Sequence, residues 1–172
     1  EADTILKAAL DGGINFIDTA NIYSTGESEE ITGQAIRNAG IARSDVVLAT
    51  KVMGQMGEGP NDCGASRHHI MDQVDASLKR LQTDHIDLYQ LHGFDNTTPV
   101  EETLEALTDL IKIGKVRYIG ASSMHAWKFA KSLYLSDRKG WARFISMQNH
   151  YNLLNREEEC EMVPLCAAEG VG

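Results

Sequence analysis

Five short apolar runs recur along this chain at the interval that a strand, a helix and their loops occupy, and that recurrence restricts the fold more than any other feature. The runs are Ile14–Thr19, Val46–Val52, Ile86–Leu91, Val116–Ala121 and Phe144–Gln148, and their starts lie 32, 40, 30 and 28 residues apart. One βαβ crossover takes roughly 30 residues. Runs that are apolar almost throughout, rather than at alternate positions, suit strands buried on both faces, as in a parallel sheet covered by helices. Amphipathic helical patterns stand between them, so the chain is expected to form right-handed βαβ units in series.

The helical segments carry their own punctuation. Thr98-Pro99-Val100-Glu101 predicts a capping box with proline at the first helical position, Leu104, Leu107 and Ile111 form the buried stripe, and Gly114 ends the helix. Ser66 is expected to cap another helix, on which Ile70, Val74, Leu78 and Leu81 are spaced to face the sheet. Glu27, Glu29 and Glu30 place acid in the first turn of the helix before Arg37, where negative charge favours the helix dipole. Gly12-Gly13 ends an opening helix, and Pro164 is expected to break the last helical pattern near Met162.

A βα series of this kind suits either a doubly wound sheet or a closed (β/α)₈ barrel. Such a barrel takes about 250 residues. Here 172 residues hold five strand candidates, begin inside a helical pattern and end on Glu169-Gly170-Val171-Gly172, where a sixth strand is due. The expectation is a fragment of a longer protein.

A net charge of −9 and a pI near 5.1 leave no basic stripe, so the field of the chain repels nucleic acid and anionic membranes. Cys63, Cys160 and Cys166 are odd in number and lack metal-ligand spacing, which suits reduced, packing thiols in a cytoplasmic protein. No apolar stretch approaches the ~20 residues that cross a bilayer, and Glu1-Ala2-Asp3 opens no signal pattern. Asn96-Thr97-Thr98 fits a glycosylation sequon, a pattern without meaning in a cytoplasmic chain.

Ligands of parallel α/β proteins bind at the carboxyl ends of the strands. Three of the runs end there in an ionisable group: Ile14-Asn15-Phe16-Ile17 in Asp18, Val46 to Thr50 in Lys51, and Ile86 to Leu91 in His92, with Tyr23 on the loop after the first. Taken singly, Asp18 is a loop cap, Lys51 its ion-pair partner and His92 a core histidine. Taken together at successive strand ends they form the kit for a tuned proton donor, because a lysine cation within ~4–6 Å of a tyrosine favours the phenolate.

The stretches Gly13-Ile14-Asn15-Phe16-Ile17-Asp18-Thr19-Ala20 with Tyr23, Ala49-Thr50-Lys51-Val52 and Asp87-Leu88-Tyr89-Gln90-Leu91-His92 resemble strand-end motifs of the aldo-keto reductases. So do Gly114-Lys115-Val116-Arg117-Tyr118-Ile119-Gly120-Ala121-Ser122-Ser123 and Met147-Gln148-Asn149-His150-Tyr151-Asn152. The likeness covers nearly the whole chain in order, and within the family it is most similar to the bacterial branch that resembles potassium-channel β subunits. It implies an α/β fold that is a fragment of a (β/α)₈ TIM barrel. About five of eight units, in one partial domain over residues 1–172, would be present, with the first strand and the last two to three units missing.

The same resemblance implies reduction of an aldehyde or ketone with a nicotinamide cofactor, NADPH or alternatively NADH, and a small-molecule carbonyl as the partner. Tyr23 takes the place of the general acid, supported by Lys51, Asp18 and His92, while Ser122, Ser123, Gln148 and Asp18 take cofactor-binding places. Ser123 stands where many members have asparagine, which weakens that contact. The family's aromatic nicotinamide platform and phosphate-binding groups come from later strands, so these residues alone are expected to bind NADPH poorly and turn over little. A cofactor-binding regulatory or redox-sensing subunit with little turnover is the alternative. No metal is expected, since His68-His69, placed on the exposed start of a helix, lack Cys or acidic partners at ligand spacing. Gly54, Gly57 and Gly59 match no phosphate-binding fingerprint and suit a mobile loop beside the pocket. Glu157, Glu158, Glu159 and Glu161 read as a solvated face, and Phe94 as a pocket-lining or loop-anchoring residue.

Overall fold

A computed structural model describes residues 1–172. Five strands, β1 (Phe16–Asp18), β2 (Val47–Val52), β3 (Ile86–Leu91), β4 (Val116–Ser122) and β5 (Phe144–Gln148), form one parallel sheet in the order of the chain. Six helices accompany them: α1 (Ala2–Asp11), α2 (Glu27–Ala39), α3 (Arg67–Leu81), α4 (Val100–Lys112), α5 (Ala126–Lys139) and α6 (Met162–Glu169). The sheet curls into half of a (β/α)₈ barrel. Beyond α6, the amide of Gly172 donates to the Ile145 carbonyl at 3.0 Å and Met147 donates back to Gly172 at 2.8 Å, the pairing of a further parallel strand beside β5.

The register divides the strand residues between two faces. Asp18 pairs with Ala49, Ala49 with Leu88 and Leu88 with Tyr118, while Lys51 pairs with Gln90 and Gln90 with Gly120, so all of these share the concave side. Leu48, Tyr89, Ile119 and Phe144 lie on the convex side and are fully or almost fully buried under the helices. There Phe144 stacks on Phe129 of α5 with centroids 5.9 Å apart, and Ile70, Leu104 and Leu107 lose all exposure. Phe16 and Tyr118, on the concave side, stay about half exposed.

Strand β1 is shorter than its apolar run because Ile14 gives its amide to the Ala9 carbonyl and so completes the end of α1. The Ser66 cap forms, with its Oγ accepting from the His69 amide at 3.3 Å. Thr98 does not cap α4. The helix starts at Val100 with Pro99 as its cap, and the Thr98 hydroxyl donates instead to Asp95 at 2.7 Å. Asp95 gathers the amides and hydroxyls of Thr97 and Thr98 and the Ala65 amide. Burial alone pushes its carboxyl up, but these hydrogen bonds together outweigh burial and hold it well below the usual carboxylate range.

Other expectations are corrected by burial. Glu29 sits in the first turn of α2 as expected, and there it is completely buried. His69 is likewise buried, with Nδ1 on the Asn61 carbonyl at 2.9 Å, so only His68 is exposed. Cys63 and Cys160 are exposed rather than packed, Cys166 is half-buried, and all three are free. Pro164 falls at the third residue of α6, where its missing amide is one of those without an intrahelical partner, and a 3₁₀ turn at Glu157–Glu159 precedes the helix. No helix is long and apolar enough to cross a membrane.

Candidate active site

The four ionisable residues converge at the carboxyl ends of β1, β2 and β3. Asp18 closes β1, Lys51 is the penultimate residue of β2, His92 follows β3, and Tyr23 opens a 3₁₀ turn, Tyr23–Gly26, after β1. Lys51 has no solvent exposure. Removing an ammonium group from water is costly unless every proton finds an acceptor. Its three protons have three acceptors: Asp18 Oδ2 at 2.5 Å, the Thr19 carbonyl at 2.9 Å and Tyr23 Oη at 3.4 Å.

Asp18 is oriented from its other side as well. Gln90 Nε2 donates to Oδ1 at 3.0 Å and Gln148 Nε2 to Oδ2 at 3.3 Å, so β1, β2, β3 and β5 all contribute to one ion pair. Since Tyr23 Oη accepts from Lys51, its own proton is left to point elsewhere, and the residue is 42% exposed at the mouth. The His92 ring meets the Tyr23 ring edge-on, with centroids 5.5 Å apart and planes at 77°. Burial and then the nearby Lys51 charge lower the His92 pKa, with Asp18 opposing, so its imidazole is neutral at pH 7.

Ser122, Ser123 and Gln148 lie at the ends of β4 and β5. The two serine hydroxyls are 3.2 Å apart, Ser122 is buried, and the Ser123 amide donates to the Gln148 carbonyl at 3.2 Å. Ser123 has a left-handed backbone, φ 49°, as do Ser24 and Thr25 beside Tyr23, with φ 47° and 52°. Non-glycine residues adopt this region rarely, and such conformations gather at functional sites. Phe94 borders a cleft of about 440 Å³ shared with Ser123, His125, Lys128 and His150, and Lys128 Nζ stands 4.5 Å from the centre of its ring. Glu157 and Glu158 line the same cleft instead of forming a purely solvated face.

Sequence reasoning missed Gln90 and Thr19. Gln90 was visible in principle: an amide inside a buried strand must find a partner, and two residues before His92 it shares that side chain's face. Thr19 contributes a backbone carbonyl, which carries no residue-type signal.

The sequence profile of the aldo/keto reductase family matches residues 1–172. The chain is 49% identical to an aldo-keto reductase of Alternaria alternata, over all of this chain and 54% of that protein. It is 45% identical to a putative aryl-alcohol dehydrogenase of Schizosaccharomyces pombe, over all of this chain and 59% of that protein. A versiconal hemiacetal acetate reductase of Aspergillus parasiticus is 45% identical, over 99% of this chain and 54% of that protein. The chain thus spans about half the length of these curated relatives. They are fungal, which corrects the expected likeness to the bacterial branch near potassium-channel β subunits. A profile that runs from the first residue to the last, over the same strand ends that gather Asp18, Lys51 and Tyr23, leads to one conclusion: this chain belongs to the aldo/keto reductase family.

Proposed function

We propose that these residues are part of a single (β/α)₈ barrel domain whose full-length form reduces an aldehyde or ketone to an alcohol, with Tyr23 as general acid. The observation that carries this reading is the shell around Lys51: a buried cation fixed by Asp18 and the Thr19 carbonyl, with its third proton on the phenol oxygen. When a carbonyl carbon accepts hydride, its oxygen becomes an alkoxide and takes a proton. Tyr23 delivers that proton, and the Lys51 charge beside Oη stabilises the oxygen that is left negative. Neutral His92, against the Tyr23 ring, donates a ring N–H to the substrate oxygen and so orients it and polarises the carbon.

The hydroxyls of Ser122 and Ser123 and the Gln148 amide suit a carboxamide, which both donates and accepts hydrogen bonds, so these residues fit a nicotinamide. A reduced nicotinamide, when bound, supplies the hydride that no side chain can. NADPH is the form proposed, following the family, and a small-molecule carbonyl is the partner. Three free cysteines support a cytoplasmic setting.

In the full-length protein, Tyr23→Phe is expected to lower NADPH-dependent reduction of an aromatic aldehyde by about 10²–10⁴ while NADPH binding, followed by fluorescence, survives. An aromatic aldehyde is the first probe because one relative is named for aryl alcohols. Turnover retained by the Phe variant would refute the assignment.

A further inference from the structure

The structure assigns Glu29 and Arg80 as positioning residues that aim the Tyr23 phenol at Lys51 from behind the sheet, an inference that rests on the proposed proton-donor role of Tyr23.

The turn that carries Tyr23 is one the chain would not hold unaided. Ser24, Thr25 and Gly26 have φ of 47°, 52° and 99°, three successive left-handed residues, one of them β-branched. A turn of this kind persists when its surroundings dictate it. The surroundings lie on its carboxyl side. Ser28 meets the Thr19 hydroxyl at 2.8 Å. Glu29 Oε1 accepts from Thr50 Oγ1 at 2.5 Å, and Oε2 accepts from Arg80 Nε of α3 at 2.6 Å. Arg80 is itself held through Nη2 on Ser77 Oγ at 3.2 Å, and its aliphatic stem covers Gly26, where an added Cβ would fall 2.7 Å from Cδ.

These anchors are chosen by position. Thr19 follows Asp18 and Thr50 precedes Lys51, so the returning chain is tied to the immediate neighbours of the ion pair that Tyr23 addresses. Thr50 lies on the opposite face of β2 from Lys51. The clamp therefore grips one side of the strand while the phenol approaches the lysine on the other. The Lys51–Tyr23 contact of 3.4 Å is at the long end of a hydrogen bond, so a displacement of a few tenths of an ångström removes it. Glu29 has no exposure and Arg80 only 16% at its side chain. A buried ion pair adds little stability over a well-packed apolar pair, and its best use is to specify one arrangement.

The test uses full-length protein, with NADPH and p-nitrobenzaldehyde, and reads the single-turnover reduction rate at a temperature well below melting. Glu29→Gln and Arg80→Met are expected to slow that step at least tenfold, with Arg80→Lys intermediate, while NADPH affinity and aldehyde KM stay within twofold. The solvent deuterium isotope effect on the step should rise as proton delivery becomes limiting. Variants that fold, by near-ultraviolet circular dichroism, and keep the wild-type rate and isotope effect overturn the inference, whatever their melting temperatures. Should Glu29→Gln and Arg80→Met not fold, Arg80→Lys, which keeps the charge, and Ser77→Ala, which frees Nη2 of Arg80 without touching the turn, decide it in the same way. Turnover by Tyr23→Phe would instead overturn the proton-donor role, and an inactive Tyr23→Phe beside unaffected Arg80 variants would overturn the positioning role alone.

Discussion

The two ends of the Lys51–Asp18 bond are unequally buried, and this makes an asymmetric prediction. Lys51 has 1% side-chain exposure and Asp18 has 29%. Deleting one partner of a fully buried pair costs about 3–5 kcal/mol, mostly as the penalty on the charge left behind. In Lys51→Met the survivor is Asp18, which reaches water and keeps the Gln90 and Gln148 amides, so the cost belongs below that range, at about 2 kcal/mol. In Asp18→Asn the survivor is an ammonium group shut away from water with only the Thr19 carbonyl and Tyr23 Oη as strong acceptors, so the cost is about 3–5 kcal/mol. Combining the two removes both charges, and the double variant should be more stable than Asp18→Asn alone. Urea denaturation of the four full-length proteins measures this as a double-mutant cycle. Equal costs for the two single variants, or simple additivity in the double, would refute the account of Lys51 as the buried and dependent partner.

The lowered pKa of His92 carries a pH signature: its stabilising share is complete above the unfolded value near 6.5 and is lost as pH falls through the lower folded value. The stability difference between wild type and His92→Gln should therefore change with pH only in that acid window, and reduction should fail there as a second cation forms beside Lys51. Ser66→Ala removes the acceptor of the His69 amide and should cost about 1 kcal/mol by denaturant titration. Gly33 of α2 lies so close to α3 that an added Cβ would fall 2.5 Å from the Leu81 carbonyl oxygen. Gly33→Ala should thus destabilise by about 1–3 kcal/mol despite alanine's better helix propensity, and a stabilised variant would contradict that packing.

Strand placement was legible because the largely apolar runs recur at the interval of a βαβ unit, and β3 and β5 appear with the expected bounds although Asp87, Gln90 and Ser146 stand within them. The helix caps were legible only where no stronger partner stood nearby. The Ser66 hydroxyl is free to accept from the His69 amide, whereas the Thr98 hydroxyl donates to the carboxylate of Asp95, three residues away, and that charge-assisted bond turns it from the α4 amides. The site divides in the same way. Asp18, Lys51 and His92 announce themselves as ionisable ends to apolar runs, and Tyr23 follows at short range. Glu29 looked like a dipole partner because a sequence shows which turn a residue occupies but not which face is covered. Its ion pair depends on Arg80, 51 residues away. Burial of His69 has the same origin: the Asn61 carbonyl that receives it belongs to a loop without periodicity.

Because the sheet is ordered as the chain is, each strand finds its partner already made. Asp18 and Lys51 are 33 residues apart and Lys51 and Tyr23 only 28, while Gln148 reaches Asp18 across 130. Contacts of short sequence separation close quickly, and chains begin to fold from the amino end during synthesis. The Lys51–Asp18 pair can thus assemble on the ribosome once β1 and β2 have emerged, with the Tyr23 turn fixed when Arg80 of α3 follows, Gln90 joining next and Gln148 last. The corner that gathers Asp18, Lys51 and Tyr23 is therefore the early-folding corner of this sheet, closed before the ends of β4 and β5 are in place.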